Sequence, residues 1–216
     1  MISVRPVQFV DPALMSDRDP SMNVKKNADG IVKADFFTLA TAARIHQLVY
    51  ILDIYRAQIP FPEQVKVMKR EHEHWRSVKI GVENHAYQWA LGQAAWDQGL
   101  PVVPVTYPGD KVMKWQMATP HFESGRVRMR GVRDASGDLV VHPALKQFVR
   151  EALDAPYGGT DDCIDAVTGA VLMCTSAEFV NQEYSGVVTR GFGIAIAGGS
   201  GRRTNVDPYD CFRSSY

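Results

Sequence analysis

The feature that most constrains the fold of this chain is a repeated switch between strand-like and helix-like sequence patterns. Three segments rich in apolar and β-branched residues come first, and helices then alternate with further strands. The predicted strands cover residues 4–10, 35–45, 47–59, 79–84, 101–107 and 126–131. The second and third are joined tightly near His46, which predicts a β-hairpin. The predicted helices cover residues 60–78, 85–99, 111–120, 142–156 and 160–176, with Thr160 as the expected N-cap of the last one. This order predicts an α/β domain with one mixed β-sheet that is flanked by helices on both faces.

A change of composition divides the chain. Over residues 1–178 periodic segments follow one another, and a chain of 216 residues, 45% of them hydrophobic, is long enough to bury a core. From residue 179 onward the sequence is rich in Gly, Ser and Arg and shows little periodicity. We therefore predict one domain over residues 1–178 and an irregular C-terminal extension or tail over residues 179–216.

Charge and motif content argue against several classes of function. The chain has 24 basic and 24 acidic residues, so its formal net charge of zero argues against coating nucleic acid by charge alone. Its three cysteines lack CxxC spacing, which argues against a zinc site, and no GxxxxGK[S/T] loop for ATP is present. It has no signal peptide and no apolar run of ~20 residues, which predicts an intracellular protein without membrane contact.

Five acidic residues lie where an α/β sheet gathers its site residues, at strand ends and helix starts. Asp11 follows the first predicted strand, Glu83 ends the fourth, and Asp161, Asp162 and Asp165 lie in the first turns of the last helix. Turn formation or solvation would account for Asp11 and Glu83 taken singly, and the helix dipole would account for Asp161 and Asp162. Asp165 shares a helix face with Asp161 or Asp162, so the group is predicted to converge.

Converging carboxylates predict a metal site. Unpaired carboxylates that pack closely repel one another, and a divalent cation removes that repulsion. Hard oxygen ligands suit Mg²⁺ or Mn²⁺, and two such ions about 3.5–4 Å apart can hydrolyse phosphodiester bonds. The acids taken by themselves therefore predict a metal-dependent phosphodiesterase, with five candidate metal ligands: Asp11, Glu83, Asp161, Asp162 and Asp165.

A second set of residues is basic. Arg126, Arg128 and Arg130 alternate, so they project from one face of a short predicted strand, and Lys111 and Lys114 lie just upstream. These five residues are the candidate contacts to a DNA backbone. The alternative is an edge strand that is protected from aggregation by its charge.

Three motifs, in this order and spacing, resemble a known family. VQFVDPA (7–13), VKIGVEN (78–84) and YGGTDDCIDAVTGAV (157–171) are similar to the nuclease domain of phage terminase large subunits. The resemblance covers roughly residues 5–175. It implies a ribonuclease H-like fold, related to that of Holliday-junction resolvases.

The resemblance also implies an activity and a site. The activity is that of a two-metal, Mg²⁺- or Mn²⁺-dependent endodeoxyribonuclease that cuts concatemers of double-stranded viral DNA during genome packaging. Asp11 would be the first-strand ligand and catalytic residue, and Glu83 would be the second. Asp165, with Asp162 beside it, would supply the last ligands and rank above Asp161.

The implied partners are double-stranded DNA, an ATPase motor domain, a portal and a small terminase subunit, and the implied location is the cytoplasm of an infected bacterial host. The family normally carries an ATPase motor that this sequence lacks, so translocation is not assigned to it. The isolated domain is expected to be a monomer. Two alternatives stay open: a Holliday-junction resolvase or ribonuclease H-type nuclease, and a non-catalytic module that binds DNA or a portal.

Overall fold

The computed structural model describes residues 2–13, 24–26, 32–34, 36–84, 86–155, 157–158, 160–176 and 193–194. The strands are β1 Ile2–Ser3, β2 Pro6–Asp11, β3 Val24–Lys26, β4 Val32–Ala34, β5 Phe37–Ile45, β6 Leu48–Ala57, β7 Lys79–Glu83, β8 Val102–Val105, β9 Val127–Met129, β10 Gly131–Arg133, β11 Leu139–Val141 and β12 Gly193–Ile194. The helices are α1 Phe61–Trp75, α2 Ala86–Trp96, α3 Lys111–Glu123, α4 Lys146–Asp154 and α5 Asp162–Thr175. A 3-10 turn, Pro143–Leu145, precedes α4.

Six of these strands form one mixed sheet in the order β8-β7-β2-β5-β6-β9. β2, β7 and β8 run parallel to one another, β6 runs parallel to β9, and β5 is antiparallel to both of its neighbours. Val10 of β2 pairs with Val82 of β7, so Asp11 and Glu83 leave their strands at the same edge of the sheet. The predicted mixed sheet is confirmed, and it places two of the predicted acids side by side.

Helices cover both faces of the sheet. Side chains alternate along a strand, so Phe9 of β2 packs in the cluster that contains α5, whereas Val10 packs in the cluster that contains α1 and α2. Parts of α3 and α4, represented by Phe122 and Phe148, pack on the α5 side. The predicted fold class, an α/β sheet with helices on both faces, is confirmed.

The predicted hairpin between the second and third strands is also confirmed. β5 and β6 pair from Phe37↔Ala57 to Ile45↔Leu48, with a register shift between Thr41 and Ala42. His46 lies in the turn with a left-handed φ of 55°. The short connection leaves β5 and β6 as long neighbouring strands, and α5 packs across them.

The structure corrects two local predictions and adds one hairpin. α3 does not end at Pro120 but continues to Glu123, because the Pro120 carbonyl accepts the Ser124 N–H at 3.1 Å and closes the last turn. Thr160 is not the N-cap of α5; Asp161 takes that position, since the Thr160 hydroxyl donates instead to Glu151 at 3.1 Å. The β10–β11 hairpin was not predicted, because its strands of three residues are too short to show a period.

The structure describes little of the chain beyond α5. β1 pairs antiparallel with β12, whereas the rest of residues 177–216 lies outside the described residues. The division into residues 1–178 and 179–216 therefore stays a prediction. Of the helices that the structure describes, none is long and apolar enough to cross a membrane.

Candidate active site at the edge of the sheet

Three elements bring the predicted acids to one edge of the sheet. β2 ends at Asp11, β7 ends at Glu83, and α5 begins with Asp162 and Asp165. α5 approaches β2 closely because position 169 is glycine: a Cβ there would collide with the ring of Phe9. This close approach places the first turn of α5 beside the end of β2.

Lys114 of α3 is a buried cation among these acids. Its side chain is 5% exposed, and its ammonium contacts the Glu83 carboxylate and lies 3.9 Å from Asp165 Oδ1. It also lies 4.9 Å from the ring centroid of Phe9 and 5.4 Å from that of Tyr107. An ammonium that is this deeply buried is tolerated because opposite charges and aromatic faces surround it.

Lys111, one turn earlier on α3, is more exposed; it shares Asp165 with Lys114 and also holds Asp161. Its ammonium contacts Asp165 and lies 2.9 Å from Asp161 Oδ2. Burial acts to lower the pKa of Lys111, but Asp165 and Asp161 outweigh it and raise that pKa. Trp115 completes the setting of Asp165 by donating its indole N–H to Oδ1 at 2.9 Å.

Asp11 shows how crowded the negative charge is. Burial raises the pKa of Asp11 well above its ordinary value, and the nearby Asp165 and Asp162 carboxylates raise it further. Lys111 and Lys114 act in the opposite direction without cancelling the effect. The two ammonium groups therefore leave the Asp11 carboxylate short of positive charge.

A second buried network fixes the start of α5. Glu151 of α4 accepts the backbone N–H of Cys163 at 2.8 Å and the hydroxyl of Thr160 at 3.1 Å. Arg56 of β6 lies 3.1 Å from Asp162 Oδ2 and, more loosely, 3.8 Å from Glu151 Oε1. Glu151 thus holds the backbone that carries Asp161 to Asp165, and Arg56 holds one carboxylate of that segment directly.

The carboxylate oxygens of these acids suit a divalent cation, although Lys111 and Lys114 contact several of them in this structure. Within the described parts of the chain, no three acidic, His or Cys side chains converge as a ready-made metal site. Carboxylate oxygens of Glu83, Asp161 and Asp165 instead contact ammonium groups. The hard oxygen donors and the charge-crowded Asp11 fit Mg²⁺ or Mn²⁺.

The five predicted DNA contacts lie in two places. Lys111 and Lys114 lie among Asp11, Glu83, Asp161, Asp162 and Asp165, which we call the acidic cluster. Lys114 is 5% exposed there, so it has almost no surface that DNA could contact. Arg126 and Arg128 are exposed at and beside the edge strand β9, and Arg130 is partly buried near Asp53 and His142. DNA contact by the three arginines stays a prediction.

Sequence reasoning missed that Trp115, Arg56 and Glu151 support the acids. One signal was available for α3: Lys111 and Lys114 lie in its first turn, where the helix dipole disfavours positive charge. Cations at that position indicate that anions lie opposite. Arg56 gave no such signal, because its partner Asp162 lies 106 residues further along the chain. The partners of Glu151 are only 9 and 12 residues away, but they lie beyond the end of its helix, where helical spacing does not predict a contact.

Comparisons with known proteins identify the fold. No protein-family model and no curated protein matches the chain. The human cytomegalovirus terminase nuclease domain aligns with a TM-score of 0.50 at 14% identity, over 83% of this chain and 88% of that chain. Its Mn-soaked, inhibitor-bound form aligns with a TM-score of 0.50 at 12% identity, over 82% of this chain and 85% of that chain.

A large terminase nuclease from thermophilic phage G20c with bound zinc aligns more weakly, with a TM-score of 0.49 at 15% identity, over 64% of this chain and 74% of that chain. The two cytomegalovirus structures span most of both chains. The predicted likeness to a terminase nuclease domain is therefore confirmed at the level of the fold.

Proposed function

We propose that this chain is a divalent-metal-dependent endonuclease that cuts double-stranded DNA. One observation carries the proposal: Asp11, Glu83 and Asp165 lie on three separate elements at one edge of a sheet whose fold is that of a terminase nuclease domain. Fold alone does not assign a function, whereas these side chains supply groups that can bind a metal.

The carboxylates would hold the metal. Asp11, Glu83 and Asp165 form the core of the proposed ligand set, and Asp162 and Asp161 are the further candidates. Mg²⁺ or Mn²⁺ bound there would activate a water and stabilise the leaving oxygen of a phosphodiester. The pKa of Asp11, raised by burial and by its acidic neighbours, supports this assignment, because a bound cation would relieve that crowding.

The two lysines would have different tasks. Lys114 is buried between Glu83 and Asp165, so it stays in place and orients both carboxylates. Lys111 is 41% exposed and bridges Asp161 and Asp165, so it would release them when a cation binds. Its freed ammonium would then lie beside the phosphate of the substrate, which is the DNA contact predicted for it.

The biological setting that we propose is the packaging of a viral genome. The confirmed fold supports a nuclease that cuts viral DNA concatemers during genome packaging in an infected bacterial cell. An ATPase motor, a portal and a small terminase subunit would be its partners, and an isolated domain would act as a monomer. Faster cutting of branched DNA or RNA–DNA hybrids than of duplex DNA would favour a resolvase or ribonuclease H activity instead.

The experiment is a plasmid assay with the purified chain and Mn²⁺. We expect nicked and linear products from the wild type and none from Asp11→Asn or Glu83→Gln. Asp138→Asn is the matched control, because Asp138 is an exposed acid on the β10–β11 hairpin. Undiminished cutting by both cluster variants would contradict the site. Calorimetric titration with Mn²⁺ reports metal binding independently of cleavage.

A further inference from the structure

A cleft lies at the edge of the sheet opposite the acidic cluster. Its volume is about 430 Å³, and we call it the Arg44 cleft; its lining residues are Arg44, Gln47, Val49, His121, Arg126 and Thr175. Thr175 ends α5, the helix that begins with Asp162 at the cluster. At a rise of about 1.5 Å per residue, these two helix ends are about 20 Å apart, so the cleft is a separate site.

The two arginines of the cleft are anchored. Arg44 donates from Nε to the His46 carbonyl at 2.7 Å and from Nη1 to the Cys174 carbonyl at 3.4 Å. The backbone of Arg126 is fixed between two elements: its N–H donates to His121 at 3.0 Å, and its carbonyl accepts the Val49 N–H at 2.9 Å. The Arg44 guanidinium and the backbone that carries Arg126 are therefore held in place before any ligand arrives.

The charges of the cleft act on one another, and none of the ion pairs found among the described residues involves them. Burial lowers the pKa of His121, and the nearby Arg126 and Arg44 lower it further. Among the residues that the structure describes, neither guanidinium lies within ion-pair distance of a carboxylate. Arg56, Lys111 and Lys114, by contrast, each contact a carboxylate.

A structural role explains part of this arrangement. Arg44 donates to a carbonyl in the last turn of α5, where the helix dipole favours a cation. That role does not account for the other two charged residues of the cleft. His121 lies near the end of α3 and Arg126 directly precedes β9, and both line the same cleft. The excess of positive charge points to an anionic ligand.

We propose that the Arg44 cleft binds a phosphoryl group. Guanidinium groups pair with phosphate oxygens through parallel, charge-assisted hydrogen bonds, and two of them converge here beside an imidazole and a side-chain amide. The group belongs either to a nucleic-acid backbone or to a small phosphorylated ligand. The site is independent of the proposed nuclease centre and does not require a metal.

The test follows the ring signals of His121 by NMR in the full chain, with EDTA present. Inorganic phosphate and a short blunt DNA duplex are titrated separately. We expect saturable shifts and a rise in the pKa of His121 as a bound anion offsets Arg126 and Arg44. Arg126→Gln should weaken binding about tenfold or more. Arg150→Gln removes the same charge from an exposed position on α4 and should bind as the wild type does.

The two probes distinguish the source of the phosphoryl group. Saturation by the duplex at lower concentration than by free phosphate indicates a nucleic-acid backbone, and saturation by phosphate alone indicates a small ligand. Absence of saturable shifts with both probes, or equal affinity in Arg126→Gln and Arg150→Gln, would overturn the proposal. Arg126→Gln decides the matter because the Arg44 side chain also supports α5, so that Arg44→Gln could alter the fold.

Discussion

At the scale of single residues, Lys114 contributes to the stability of the folded chain through its buried ammonium. Its ammonium is buried against Glu83 and Asp165, so removing it deletes the buried cation that contacts Glu83, whereas Asp165 keeps its contact with Lys111. We expect Lys114→Ala to lower the free energy of unfolding by about 3–5 kcal/mol, measured by urea denaturation without metal. Lys66→Ala is the control, because its exposed pair with Glu63 contributes less than about 1 kcal/mol. Equal losses in the two variants would show that Lys114 is not a buried ion-pair partner.

A second prediction at this scale concerns His121 and pH. Burial and two arginines lower the pKa of His121 in the folded protein from its ordinary value of 6.5. As the pH falls through 6.5, the imidazole is therefore protonated in the unfolded chain before it is protonated in the folded one. The stability that depends on neutral His121 is present above pH 6.5 and is lost as the pH falls below it. His121→Gln should therefore flatten the decline of unfolding free energy on the acid side. An unchanged slope would argue against a depressed pKa.

At the scale of elements, the seating of α5 on β2 determines whether the acids meet. A Cβ at Gly169 would collide with the ring of Phe9, so we expect Gly169→Ala to displace α5. Such overpacking costs about 1–3 kcal/mol and should weaken Mn²⁺ binding in calorimetric titrations. Phe9→Leu in the same chain should restore part of both losses, because the two positions are coupled. Losses that simply add would contradict this contact.

The anchoring of α5 by α4 gives a further prediction. Glu151 is buried and accepts the Cys163 N–H, so Glu151→Gln removes a charged acceptor while nearly keeping its shape. We expect a loss of about 1.5–3 kcal/mol in unfolding free energy, together with weaker Mn²⁺ binding. Asp154→Asn, an exposed change on the same helix, should alter neither quantity. Unchanged Mn²⁺ affinity in Glu151→Gln would show that Glu151 does not position the carboxylates of α5 for metal binding.

At the scale of the whole molecule, the sequence predicts what local patterns determine. The periodicity of the apolar residues predicts the sheet and its covering helices, and parallel strands ending at one edge predict that Asp11 and Glu83 are neighbours. Thr160 was misassigned because its hydroxyl bonds to Glu151 in the preceding helix instead of the first turn of α5. The local pattern at a helix start does not reveal such a competing partner.

Long-range pairing accounts for most of what sequence reasoning could not supply. Lys114 and Glu83 are 31 residues apart, and neither pattern nor propensity indicates that the lysine enters the acidic cluster and not a DNA surface. Arg44 and Arg126 meet only because β5, α3 and α5 end at one edge of the fold. Their convergence follows from the topology, not from the sequence around either arginine.

The central claim is that Asp11, Glu83 and Asp165 together bind a divalent metal. A crystal structure of the chain soaked with Mn²⁺, with the metal located by its anomalous scattering, tests it directly. We predict an anomalous peak bound by carboxylate oxygens of these three residues, with the Lys111 ammonium withdrawn from Asp165. Absence of a peak at the edge of the sheet, with Lys111 still holding Asp161 and Asp165, would contradict the claim.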